Sequence, residues 1–248
     1  MHQYFRRITA KDRNDEADRH LAFFLVFVAG AANAGGFMAV QQYTSHMSGI
    51  VSAMADNVVL GDFDLVIAGG GAFLAFLAGA ATSAILVNWG RRLQLHGEYA
   101  LPLLLEALLL FAFGLFGMAL QKHSLFFIPA TVMLLCFIMG LQNAIITKLS
   151  QSRMRTTHVT GIVTDMGIEI GKALYWNRST RAPPVKADGA KLALLSTLCG
   201  LFFCGGVVGA YCFKVIGFSF SLFLGLLVFI LAIIPVLDDI RAWFAGRA

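Results

Sequence analysis

Six stretches of this chain stay apolar for the roughly 20 residues that a bilayer crossing requires. They are Leu21–Val40, Leu65–Val87, Leu101–Leu120, Leu125–Ile146, Leu192–Phe213 and Phe218–Leu237. Each predicts a transmembrane helix. The first is interrupted by Gly30, Asn33, Gly35 and Gly36, which predicts close packing or a local break there. The second carries Gly71, Ala75, Gly79 and Ser83 at every fourth position; the fifth carries Ser196, Gly200 and Cys204, with Gly205 and Gly209 beside them. Small residues at that spacing let helices approach closely in lipid.

Two further stretches, His46–Leu60 and His158–Tyr175, are apolar at helical spacing on one side only. In the first that side is Met47, Ile50, Val51, Met54 and Val58, opposite Ser45, Ser48, Ser52 and Asp56. In the second it is Val159, Ile162, Val163, Met166 and Ile170, opposite Thr157, Thr160 and Thr164. The pattern predicts amphipathic helices too short to span, lying re-entrant in the bilayer or along its surface.

These two stretches open on the same phrase. Thr44-Ser45-His46-Met47-Ser48-Gly49-Ile50-Val51 returns 112 residues later as Thr156-Thr157-His158-Val159-Thr160-Gly161-Ile162-Val163. A shorter echo precedes each, Gly30-Ala31-Ala32-Asn33-Ala34 and Gly140-Leu141-Gln142-Asn143-Ala144. The chain therefore reads as two copies of one unit, residues 21–120 and 121–237, between short tails at 1–20 and 238–248.

Charge sets the topology. With six crossings and a cytoplasmic N-terminus, seventeen of the 19 Lys and Arg residues fall inside and only Lys122 and Lys214 outside, which is a strong positive-inside signal. Both termini are then cytoplasmic. Three crossings per copy invert the second copy relative to the first. The expected fold is an all-α membrane protein of six transmembrane helices in two inverted three-helix repeats, each with an extra short helix. Inverted repeats build many secondary transporters, with sites near the midplane between the halves.

Composition agrees. Hydrophobic residues make up 58% and charged residues 13%, against roughly 25% charged in soluble domains, and the mean hydropathy is +0.75. The net charge of +5 is a matter of topology and implies no nucleic acid. The four cysteines, Cys136, Cys199, Cys204 and Cys212, all sit in apolar stretches without metal-ligand spacing. No P-loop, HExxH, GxSxG or dinucleotide fingerprint is present. No metal, cofactor or catalytic residue is assigned.

The repeated phrase carries the candidate chemistry. Thr44, Ser45, Thr156 and Thr157 have the side chains of helix N-caps. His46 and His158 bring imidazoles, which suit proton exchange or hydrogen-bond donation to a partner. Gly49 and Gly161 permit close approach, and Ser48 and Thr160 flank them. A helix start within the bilayer favours an anion or a polar solute. Asn33 and Asn143, at matching places, either bridge helices or touch solute. Acids in membrane regions are costly and point to function, which makes Asp56, Asp165 and Glu106 candidates for ion coupling. Glu169 is read as one end of an exposed pair with Lys172.

With these residues quoted, the chain resembles the YoaK family of bacterial membrane proteins, a family of unknown function. The resemblance spans about residues 20–237, and its most specific segment runs from Arg155 to Gly167. The chain departs from that pattern at Asn33, where aspartate is common, and at Ser48, where threonine is. The resemblance implies a bacterial inner-membrane location and supplies no substrate. The expected function is a transporter or channel-like protein for a small polar or anionic solute, embedded in the lipid bilayer; a homodimer is compatible with a unit of this size. Two other readings stay open. One is a membrane-embedded enzyme using His46, His158 and Asp165 as acid–base groups; the other is a helper or sensor for another membrane protein.

Overall fold

The computed structural model describes residues 15–95, 97–120, 124–149, 159–177 and 183–245. Among them are eight helices and no strand: α1 Asp15–Val40, α2 Met47–Leu60, α3 Phe63–Arg92, α4 Ala100–Leu120, α5 Ser124–Leu149, α6 Val159–Leu174, α7 Gly189–Ile216 and α8 Ser219–Ala245. Six contain segments long and apolar enough to cross a membrane: Arg19–Met38, Phe63–Arg92, Ala100–Gly117, Ile128–Lys148, Gly189–Ile216 and Ser219–Leu237. The protein is a multi-pass membrane protein. α2 and α6 are the two short helices expected between the spans.

The glycines decide which helices touch. Any side chain at Gly79 would overlap the carbonyl oxygen of Phe137, and one at Gly140 would overlap that of Phe76. α3 and α5 therefore cross with backbone against backbone. α1 and α7 do the same, where Gly30 meets the carbonyl of Phe202, Gly205 that of Phe27 and Gly209 the backbone of Ala31. Without a hydrophobic drive between helices in lipid, such close packing is what holds them together. The first span does pack closely at its glycines, as expected, but it does not break: α1 is one continuous helix. On α7 the small-residue face differs in phase from the expected one. Gly205 and Gly209 are buried, whereas Ser196, Gly200 and Cys204 are exposed.

The same contacts give the running directions. Phe27, Ala31 and Gly35 on α1 meet Gly205, Gly209 and Phe213 on α7, so these helices are parallel. Met133 and Gly140 on α5 meet Gly71 and Phe76 on α3, and Lys148 Nζ donates to Asn88 Oδ1 at 3.1 Å, so this pair is parallel too. α1 and α5 are antiparallel, since Gln142 Nε2 donates to the Leu25 carbonyl at 3.1 Å while Leu135 faces Gly36. α4 and α8 are antiparallel, with Ala107 against Gly225 and Gly117 against Phe218.

α1 and α5 lie at the centre, with 67% and 61% of their apolar windows buried, against 11% and 22% for α3 and α7 on the outside. Phe113, Phe213, Phe218 and Phe220 interlock α4, α7 and α8, with ring centroids 5.4–6.3 Å apart. The basic ends of α3 and α5 come together near the start of α4. Arg91 pairs with Glu98 there and donates to the Tyr99 hydroxyl at 3.4 Å.

If the crossings carry the fold, the glycines should be unequal. Gly79→Ala and Gly140→Ala should each destabilise the detergent-solubilised protein by about 1–3 kcal/mol, the scale of overpacking. Gly200→Ala, with no neighbour within 4 Å, should change nothing measurable. Thermal melting of the three variants checks this, and equal melting temperatures would refute the crossing geometry.

Candidate functional site

α1 ends at Val40, and Gln41 turns the chain with φ 55° in the left-handed region. Its backbone N–H still reaches back to the Phe37 carbonyl at 2.8 Å. Tyr43 stacks on Phe37 with ring centroids 4.7 Å apart. The next residues fold back against α1. Thr44 is buried against Gly36, with its hydroxyl unpaired. The Ser45 hydroxyl donates to Asn33 Oδ1 at 2.9 Å. Neither caps α2. The residue before the first turn is His46, and no side chain accepts a hydrogen bond there. The expected serine or threonine cap is thus replaced by a tie to α1, because the hydroxyl finds a buried amide within reach.

α2 then runs back along α3. Ile50 packs with Ala72 and Cys136, and Met54 lies on Gly69. The two helices join through Gly61, φ 77°, where Asp62 N–H bonds the Asn57 carbonyl at 2.9 Å, the bond pattern of a glycine-closed helix end. Asp62 caps α3 by accepting from Leu65 N–H. Counting back from the turn, Met47 reaches the level of Phe76, near the middle of the 30-residue α3. α2 therefore starts about halfway through the depth of a span and ends at one face.

α6 is held against α7 in the same way but by charge. Glu169 is only 1% exposed. Its Oε2 accepts from the Asp188 backbone N–H at 2.9 Å, and its Oε1 lies 3.0 Å from Lys172 Nζ and 3.5 Å from Lys191 Nζ. The Asp188 N–H, ahead of the Lys172 ammonium, holds this carboxylate below the usual glutamate range. The pair with Lys172 exists as expected, but it is a buried anchor and not a solvated one. The available signal was a second lysine, Lys191, beyond the loop. The other end of α6 lies beside Cys199 and Phe203, midway along α7.

That end closes a cavity of about 420 Å³, bounded by α1, the turn at Tyr43, Val159 and the middle of α7. Asn33 lines it and is 8% exposed. Asn33 Oδ1 accepts from Ser45, and the amide nitrogen is the donor this side chain can offer at the wall. Phe37, Phe202 and Val207 supply much of the remaining wall.

The other candidates are dispersed. Thr156, Thr157 and His158 lie outside the described residues. His46 is exposed, its ring resting on its own Gly49, and Ser48 and Thr160 are exposed as well. Gly161 is half-buried. Asn143 is half-buried on α5, its carbonyl accepting from Thr147 at 2.7 Å, and it is not in the wall of this cavity. Asp56 is exposed on α2. Asp165 has a side chain 48% exposed, 3.8 Å from Lys191. Glu106 is fully buried on α4, with neither oxygen hydrogen-bonded. Among the described residues no group of three His, Cys, Asp or Glu could hold a metal ion.

Residues 21–234 match the family described as Protein of unknown function (DUF1275), and the chain belongs to that family. No curated protein and no solved structure matches it.

The Glu169 anchor sets a pH response. Its folded-state pKa lies below its unfolded value, so its stabilisation is present above the unfolded value and is lost as pH falls through the folded one. Melting temperature followed from neutral pH downward should fall more steeply in the native protein than in Glu169→Gln, which should already be less stable at neutral pH. Parallel curves would remove the anchor.

Proposed function

We propose that this member of a family of unknown function is a small-solute transporter or channel-like protein built from two inverted halves, α1–α4 and α5–α8, with its site at mid-depth between them. The observation that carries the reading is one cavity bounded by residues of both halves. Asn33 and Tyr43 come from the first half, Val159 and Phe203 from the second.

The inverted arrangement draws support from the pairing of helices. Exchanging each helix with its counterpart turns the α3–α5 crossing into α7–α1, and the α2–α3 contact into α6–α7, while α1–α5 and α4–α8 map onto themselves. By the running directions above, α1 opposes α5 and α3 opposes α7, so α2 and α6 run towards opposite faces. Paired half-spanning helices with starts near the midplane are a recurrent way to build a transport site. Arg91, Lys148, Lys172 and Lys191 gather at the end of the bundle where α3 finishes and α7 begins, which the positive-inside rule assigns to the cytoplasm. A bacterial inner-membrane location and the YoaK resemblance are consistent with this orientation.

The enzyme reading has less support. His46 is outside the cavity wall, and Asp165 faces Lys191 at the bundle's basic end. Asp56, Asp165 and Glu106 remain candidates for coupling, and Glu106, buried without a hydrogen-bond partner, is the one whose environment most strongly penalises a charge.

Reconstituted protein should move a solute across liposomes. Asn33→Ala and Ser45→Ala should lower that flux roughly tenfold, the worth of one hydrogen bond to a buried partner, with Gly200→Ala unchanged. Flux unaffected by either of the first two variants would overturn the site.

A further inference from the structure

The cavity beside Asn33 opens in an informative direction. Phe203 is 70% exposed and Val207 54% exposed, and both form its rim on α7. Phe203 stands 14 residues from Gly189 and 13 from Ile216, about 20 Å from either end of the helix. Exposed lining residues at that depth, on one of the least buried spans, lie at the level of the hydrocarbon, while Met38 and Tyr43 line the cavity nearer the end of α1. Among the described residues the wall carries no charged side chain. It does carry a hydrogen-bond donor: the Asn33 amide nitrogen, its geometry fixed by the Ser45 bond on the oxygen. A volume of about 420 Å³ is in the range of small-molecule sites, roughly 300–1,000 Å³.

We propose that the solute of this site is an uncharged, mainly apolar molecule with one hydrogen-bond acceptor, such as a ketone or ester carbonyl, and that it enters sideways from the bilayer. The inference rests on reading this cavity as the solute site, and it narrows the expected polar or anionic solute to a neutral one. None of the described lining residues would neutralise a full negative charge, and burying such a charge without a partner is prohibitive. A neutral carbonyl needs one donor, and its chain fits against Phe37, Phe202 and Val207. Small residues at Gly30, Ala34 and Gly206 leave the room.

The test uses the full-length protein in phosphatidylcholine liposomes with two photoreactive probes of equal length, a dodecan-2-one and a dodecane, each carrying a chain diazirine. The ketone should label the α7 segment around Phe203–Ala210 about tenfold more than the alkane. Asn33→Leu should bring the two to the same level, and Val207→Trp, which fills the rim from the lipid side, should suppress both while the protein stays monodisperse. Equal labelling by both probes, or labelling untouched by both variants, would show ordinary lipid contact and overturn the proposal. Displacement of the ketone by glycerol or lactate would also overturn it, by placing the entrance in water. If solute flux depends on Asn33 but the ketone shows no preference, the transport reading stands and this one falls. Selective ketone labelling without flux of the ketone leaves the binding assignment intact and removes transport.

Discussion

The bundle depends on helix backbones lying directly against one another at five glycines. In water, burial of apolar side chains would hold these helices together. In lipid the surroundings are as apolar as the helices, so association rests on close contact and dispersion. Gly79 and Gly140 bring α3 onto α5, and Gly30, Gly205 and Gly209 bring α1 onto α7. Each crossing joins a helix of the first half to one of the second. The halves therefore do not form separate bodies meeting at a surface; each lends an outer helix to cover the other's central one. A cavity walled by both follows from that exchange.

Much of this was legible in the sequence. Hydropathy located all six spans because a bilayer demands length and apolarity, and α2 and α6 announced themselves through their one-sided pattern. The repeated phrase is a property of the sequence; its first copy folds onto α1, and Thr156, Thr157 and His158 of the second lie outside the described residues. What could not be read was rotational phase. A stripe of small residues at every fourth position exists on two neighbouring faces of α7, and only the partner helix chooses Gly205 and Gly209 over Gly200 and Cys204. The roles of Thr44 and Ser45 were obscured for a related reason. As local features they are helix caps, but the turn at Gln41 folds them onto α1, where a buried Asn33 competes for the hydroxyl. Glu169 looked solvated because its nearest lysine is three residues away, while the groups that bury it, Asp188 and Lys191, lie across a loop.

The cavity shows how little polarity such a site needs. One asparagine, oriented by one serine, stands in a wall of aromatic and small residues. An amide in that setting is costly unless bonded, and the Ser45 bond satisfies its oxygen. On the proposed reading, the polarity that selects a ligand comes from an amide and not from a charge.

The two short helices are fastened differently. α2 is welded to α3 by Gly61 and Asp62, a two-residue joint with its own hydrogen bonds, so the pair has almost no freedom to slide. α6 joins α7 through a longer connection, tied across by Asn177, whose Nδ2 donates to the Val185 carbonyl at 3.0 Å and whose Oδ1 accepts from the Val185 N–H at 2.9 Å. Glu169 adds the Asp188 N–H and Lys191 beyond that connection and Lys172 on α6 itself. Val159, at the far tip of α6, is also a wall of the cavity, so that wall and the charges around Glu169 belong to one helix, about 15 Å apart along it.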